Sequence, residues 1–490
     1  MAVTKVENSS IQLASAVNVR KIWGDIIYNV KAYGAKGDGV VDDYQAFAKA
    51  TEAIPASGGV LFIPPGVYYI SQRLSIQSKN LVIEGAGNKV SVLFFASGIG
   101  GIYYKSTDMS YCVTVRNLDI ITLGIGTAGL NGLEIEFPSN QGSTWRNAII
   151  ENLIVQGSGS VADYYNNNGN LEPGYWTNGI LCRNVAGLII NKVHMRGKFN
   201  GRVGVGIRLE GFTVDPKITD CFIDFMTPAI QKVGTLEGLH IENIVSIACG
   251  RLITIQNETP THLTRGGVYG VIKGCHSGTT LGAISIQGYP QCFVSDNLLY
   301  YDGADANFQA IYLKDCGGSI VTNNHITAGG GADGWGILVD DTQSVNIIGN
   351  IINGVYFPIE LKASAIQCIV TGNHLSKDVN NSGTDNLIVN NIVSTNPLKF
   401  KPTPTIHRAT GLLTLAGGSA SEVIQIGIPA GMFLAKPSVA FLTSTGNQII
   451  GWYSFDHASN SATNAVFEIS KRDGTVLAAG AQRFVWVMFE

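Results

Sequence analysis

Between residues 179 and 361 one short pattern recurs: a small residue, an aliphatic, any residue, an aliphatic. Copies are Gly179-Ile180-Leu181-Cys182, Gly206-Ile207-Arg208-Leu209, Ala283-Ile284-Ser285-Ile286, Ala310-Ile311-Tyr312-Leu313 and Gly336-Ile337-Leu338-Val339. Looser copies surround Ile230, Ile253 and Ile359. A second pattern runs out of phase with the first and places Asn297, Asn324, Asn350 and Asn373 between aliphatic pairs. Both repeat every 22–31 residues. Apolar and polar positions alternate within each run, which is strand spacing, and no helical period lies between runs. Parallel strands without covering helices on both faces must close on themselves. The pattern therefore predicts an all-β chain built on a right-handed parallel β-helix, one coil per period, with coils about 4.8 Å apart. Asparagine recurring at one coil position predicts an inward amide ladder that satisfies backbone groups at a bend.

One helix is readable. Asp42 can cap Asp43–Glu52, with Tyr44, Phe47 and Ala48 facing inward, and this short helix would cover the open end of the first coil. The repeat fades after Asn391, and Pro397, Pro402 and Pro404 then punctuate the chain. The expected organisation is an N-terminal arm at 1–25, the β-helix at 26–396, a linker at 397–404 and a C-terminal antiparallel β module at 405–490.

Composition narrows the function. The 490 residues are 45% hydrophobic and only 14% charged, which excludes disorder. Glycine, at 59 residues, shows no collagen period. A net charge of −3 and the lack of a Lys/Arg run leave nucleic acid unexpected as a partner. No run of 18 apolar residues exists, so no membrane insertion is expected. The first twenty residues lack an apolar h-region, so no secretory signal is expected. The eight cysteines sit singly in apolar runs and are expected to be buried, reduced thiols. No metal-ligand spacing, P-loop or GxSxG motif occurs, so no metal and no cofactor are expected.

The segment from Tyr28 to Asp43, which contains Gly34-Ala35-Lys36-Gly37-Asp38-Gly39, together with Gly58-Gly59-Val60-Leu61-Phe62-Ile63-Pro64-Pro65-Gly66, resembles the start of the pectate-lyase-like β-helix superfamily. That superfamily includes many bacteriophage tailspikes. The physical reading of these residues is structural: glycines make turns, and Asp38, Asp42 and Asp43 cap. The resemblance implies a parallel homotrimer on a virion tail, attached through the N-terminal arm to a baseplate or a neighbouring tail fibre. It further implies that the partner is a bacterial surface polysaccharide, capsule or O-antigen, which the spike depolymerises.

Loop lengths give a first location for a cleft. Long segments at 157–178, 194–205, 300–309 and 327–335 flank short ones at 224–229 and 246–251, as walls around a floor. Glycosidic hydrolysis needs two carboxyl groups flanking the bond. The expected catalytic acids are Asp224 and Glu210 towards the floor, with Asp302, Asp305 and Asp333 on the later wall. Tyr175, Trp176, Arg196, Arg202, Tyr301 and Trp335 are the expected sugar contacts, since aromatic faces pack on C–H surfaces and polar groups bond hydroxyls. Two other readings stand beside this one. The first is β-elimination on a uronic-acid glycan, served by the basic segment His194, Arg196, Lys198 and Arg202. The second is a non-catalytic adhesive spike. Glu242 and the loop 258–265 are the reserve candidates.

Overall fold

A computed structural model describes residues 27–124, 127–139, 147–166, 174–198, 201–256, 270–301 and 307–394, together with five strands between 407 and 489. The N-terminal arm and the linker lie outside the described residues.

The chain winds into a parallel β-helix whose strands pair with the coils before and after them in three ladders. Ladder I runs from Ile27–Asn29 through Gly59–Ile63 and Leu81–Gly85 to Ile369–Thr371 and Leu387–Val389. Ladder II begins at Asp38–Asp42 and Gly66–Ile70, passes His194–Arg196, Phe222–Asp224 and Leu298–Tyr301, and ends at Ile392–Val393. Ladder III begins at Leu74–Gln77 and Ile102–Lys105, then takes in Ala128–Glu136, Tyr175–Arg183, Val205–Glu210 and Ile230–Val233. It continues through Ile253–Gln256, Gly282–Gln287 and Gln309–Lys314.

The small–aliphatic–any–aliphatic pattern is the ladder III strand. Register stacks Leu133, Ile180, Ile207, Ile230, Ile253, Ile284, Ile311, Ile337 and Ile359 into one inward row, every member at most 2% exposed. Burying each such side chain contributes about 1.5–3 kcal/mol, so a one-residue slip of any coil would forfeit its share of the row.

The corner between ladders I and II is uniform. From Asn191 onward it is always two residues, as in Ser295 to Leu298 or Thr371 to His374. The first is left-handed: Lys192, Asp220, Asn243, Gly274, Asp296, Asn323, Gly349, Gly372 and Asn390 all have φ between 54° and 68°. Asparagine, aspartate and glycine tolerate that conformation, which explains their recurrence here. The second residue points inward. It is Cys221, Ile244 and Cys275 in earlier coils and Asn297, Asn324, Asn350, Asn373 and Asn391 in the last five. The expected amide ladder is present, with Asn297 Nδ2 donating to Asn324 Oδ1 at 2.9 Å and the same bond repeated from Asn324, Asn350 and Asn373. Each amide also donates to a carbonyl of the preceding coil, as Asn350 does to Val321 at 2.9 Å. Seven cysteines are buried; Cys112 departs from the expectation and is exposed.

Helix α1, Tyr44–Ala53, starts one residue later than its sequence spacing predicts. Asp42 accepts from Tyr44 N at 3.0 Å and from Ser71 N and Oγ, joining the helix start to the next coil. Asp43 is buried and accepts Lys36 N and Gly37 N, so its carboxylate closes the preceding turn. The inward face is Ala46, Phe47, Ala50 and Thr51, with Tyr44 only partly buried and Ala48 off the face.

A second unit comprises residues 160–170 and 398–490. Its described strands are antiparallel: His407–Thr414 and Ala440–Ser444 each pair with Gln482–Phe489, and Ser421–Gly427 pairs with Asn464–Ser470.

Candidate functional site

In ladder III the residues between the inward positions face outward. Two outward rows result. Register aligns Tyr103 with Glu134, and Glu134 with Leu181 and then Arg208. The second row aligns Lys105, Glu136, Arg183 and Glu210. These four coils gather acids and bases from residues more than a hundred positions apart.

Arg183 is the centre of the array. Its Nη1 donates to Glu134 Oε1, and its Nε to Glu210 Oε2 at 2.8 Å. Arg73 Nη2 holds the other oxygen of Glu134, which also accepts Asn131 Nδ2 at 2.6 Å. Glu134 is only 5% exposed, so these partners are what make its charge tolerable there. The second oxygen of Glu210 takes Arg208 Nε at 2.6 Å, and Arg208 Nη1 reaches Gln231 Oε1 at 3.0 Å. Glu136 accepts Tyr103 OH at 2.8 Å and pairs with Lys105 Nζ at 2.9 Å. The Arg73 guanidinium lies 3.9 Å from the centre of the Tyr103 ring.

Burial pushes Glu210 upward, but the bonds from Arg183 and Arg208 outweigh it and hold the carboxyl below its usual range. Glu136 behaves alike: burial raises it, and Lys105, Tyr103 and Arg183 bring it down. Both are carboxylates at neutral pH. The face thus presents ionised acceptors beside fixed guanidinium donors, a pairing able to bond sugar hydroxyls and acidic substituents.

Of the residues singled out in sequence, Glu210 lies in this array. Asp224 does not. It ends a ladder II strand beside its register partner Arg196, whose Nε is 3.6 Å from Asp224 Oδ2. Asp224 and Glu210 therefore belong to different ladders and do not share a floor. Arg202 donates to Thr280 Oγ1 at 3.0 Å. Trp176 is a correction: strand alternation turns it inward, it is fully buried, and its Nε1 bonds Ile120 O at 3.3 Å. Its register partner must be Gly129, where a Cβ would stand 2.6 Å from the indole. Tyr301 is corrected for the same reason. It closes the strand Leu298–Tyr301 pointing inward, fully buried and stacked on Phe308 at 3.8 Å. Tyr175, half-buried, opens the strand Tyr175–Arg183 rather than lying in a loop. Trp335 is half-buried on ladder III, bonds Glu360 through Nε1 and stacks on Phe357 at 5.9 Å. Lys362 Nζ takes the other Glu360 oxygen at 3.0 Å. Asp302, Asp305 and the side chain of Asp333 lie outside the described residues, as does the loop 258–265.

Glu134, Glu136, Tyr103, Arg73 and Arg183 escape the sequence reading. A signal existed: Gly101-Ile102-Tyr103-Tyr104 and Gly132-Leu133-Glu134-Ile135 are earlier copies of the repeat. They stand 31 and 47 residues from their successors, Leu133 and Ile180, and the second gap hides the period. Among the described residues no group of three or more His, Cys, Asp or Glu side chains is arranged to hold a metal ion.

Comparison with known proteins follows the same lines. Residues 27–221 match the family model described as rhamnogalacturonase A/epimerase, pectate lyase-like. The pre-neck appendage protein of Bacillus phage phi29 is 43% identical over 72 residues, 15% of this chain and 8% of that protein. The mannuronan C5-epimerase AlgE6 of Azotobacter vinelandii is 38% identical over 79 residues, 14% of this chain and 9% of that protein. Among solved structures, tailspike protein 3 of bacteriophage CBA120 aligns with a TM-score of 0.43 at 14% identity, covering 82% of this chain and 72% of that one. The chain thus spans under a tenth of the length of each of these two curated relatives. Over residues 27–221 the chain is therefore similar in sequence to the pectate-lyase-like proteins that this family model describes.

Proposed function

We propose that this chain is a phage tailspike that binds a bacterial surface polysaccharide and depolymerises it by glycosidic hydrolysis, with the outward face around Arg183 as its site. One observation carries the reading: Glu134, Glu136 and Glu210 converge on one outward face, interleaved with arginines. The phage and polysaccharide-modifying relatives support the setting. The reading includes a homotrimer on the virion tail. In its support, ladder I ends in an apolar outward face where Phe293, Ile348, Ile369, Leu387 and Val389 are exposed.

β-Elimination is the second reading, favoured by the same electrostatics. Both resolved carboxyl shifts on this face are downward, which suits a base and uronate-binding guanidiniums better than a protonated acid. Incubation with purified polysaccharide of the host strain decides between them. New reducing ends without unsaturated-uronate absorbance mean hydrolysis, and the same ends with that absorbance mean elimination. Tight binding with no cleavage means an adhesive spike.

A further inference from the structure

The residue that opens each ladder II strand forms a row of its own. From the first two-residue corner onward it is His194, Phe222, Val245, His276, Leu298, His325, Ile351, His374 and Ile392. Register aligns all nine. They face outward and are partly buried, except Ile392, which is exposed. Two properties set the row apart. It holds no Lys, Arg, Asp or Glu, whereas every other outward row over these coils has at least one: Lys217 and Glu242 on the two rows of ladder I, Arg196 on the second row of ladder II, Arg208 and Glu210 on the two rows of ladder III. It also holds four of the chain's eight histidines, with His276, His325 and His374 on alternate coils.

We propose that this row is the seam on which parallel copies of the chain meet around a common axis, and that its histidines make the seam open in acid. The proposal rests on the homotrimer proposed above and adds where the copies touch and what releases them. Around an axis along the coil stack, a residue beside that axis meets its own counterpart, so a fixed charge there would face a like charge. A row without fixed charge suits such a contact. The adjoining corner carries no insertion in any of these coils, so a partner can approach it closely. The eight intervals of the row span about 38 Å, and a strip about 20 Å wide along it covers about 800 Å² per copy, the size of a standard interface. Neutral imidazoles pack well in such a row: the His194 and Phe222 rings lie 5.0 Å apart, edge to face. Burial lowers the pKa of His276 and His325, so both are neutral at neutral pH. The charges flanking the row are of both signs. Lys192, Asp220 and Asp296 lie in the corner, Glu242 is the register partner of Lys273 on ladder I, and Arg196 pairs with Asp224. Lys89, whose N–H is held by Asp119, acts on His194, and Lys377 and Asp378 follow His374. These charges come close to cancelling, so imidazolium formed at one level faces imidazolium of the other copies. The contact is at full strength above about pH 6.5 and weakens as pH falls through the lowered pKa values.

The test uses the full chain with a nitroxide on Leu298→Cys, between His276 and His325, and Cys112→Ser to remove the exposed native thiol. Spin–spin distances are read beside sedimentation, with a label on Gln256→Cys of ladder III as the control. At neutral pH the chain should sediment as a trimer, with a short distance between Leu298 labels and a long one between Gln256 labels. Near about pH 5 the Leu298 distance should lengthen. His276→Gln, His325→Gln and His374→Gln combined should keep it short at both pH values, and His325→Gln alone should move the opening to lower pH. Circular dichroism confirms an intact coil in each sample. A trimer with a long Leu298 distance at neutral pH, a short distance that persists in acid, or histidine variants that open as wild type does would each overturn the seam and leave the homotrimer standing. A monomer at neutral pH would overturn the homotrimer and the seam together.

Discussion

Asn350 Oδ1 accepts the backbone N–H of Asn324 at 2.9 Å and the Asn324 side-chain amide at 3.0 Å, so one oxygen satisfies two buried donors of the preceding coil. Asn350→Ala strands the Asn324 backbone N–H, which costs about 1–3 kcal/mol, and leaves the Asn324 amide with only the Val294 and Thr322 carbonyls. A clear fall in urea midpoint is the expected result. Asn350→Asp keeps the acceptor but buries a charge, and should be at least as damaging near neutral pH. Equilibrium unfolding of the two variants checks both.

Trp176 separates a core role from a binding role. Fully buried and hydrogen-bonded, it should cost about 3–5 kcal/mol of stability as Trp176→Ala. Tyr175→Ala, at a half-buried position, should change stability far less. Calorimetric melting of the pair reads the difference. If Trp176→Ala melted like wild type and lost only glycan binding, its inward placement would be wrong.

His194 sets a pH dependence. Burial, helped by the charges of Arg196 and Lys89, lowers its pKa from 6.5 to about 4. A histidine with a depressed folded pKa contributes its full stability above 6.5 and loses it as pH falls from 6.5 towards 4. The loss can reach ~3 kcal/mol at two to three pKa units. Melting temperature against pH should therefore drop more steeply over that window in wild type than in His194→Gln. Parallel curves would show that the imidazole protonates freely in the fold.

The carboxylates of the two ladders can be ranked by activity. On the ladder III reading, Glu210→Gln should cut polysaccharide turnover by ~10²–10⁴ with little change in melting temperature. Asp224→Asn, whose side chain pairs with Arg196 on ladder II, should act more weakly. The reverse order would move the site to ladder II. Glu134→Gln is a poorer probe, since it leaves Arg73 and Arg183 facing a neutral group and should cost stability as well.

The coil period, the inward isoleucine row and the asparagine ladder were legible because an inward position admits few residue types, and register repeats it. The site was only partly legible. Outward residues obey no period, so Glu210 was visible as an acid beside a strand, while Arg183, next to a legible repeat one coil earlier, carried no signal of its own and Glu134 lay beyond a 47-residue gap. Trp176 and Tyr301 misled for a related reason. Aromatics near long loops read as walls, but strand alternation carries through to both residues and turns them inward. Asp224 was placed beside Glu210 by loop length alone, which does not tell one ladder from the next.

The two-residue corner between ladders I and II has a counterpart that is anything but uniform. The connections from ladder II to ladder III at 197–204, 225–229, 250–252, 280–281 and 302–308 differ in length from coil to coil. The constant corner resets the phase of the chain once per turn, so whatever is inserted at the variable corner is forgotten before the next strand pairs. Such a scaffold can vary these connections in length one at a time while the register of the neighbouring strands is kept. On the tailspike proposal, a host that alters its coat could be followed by changing one such connection at a time.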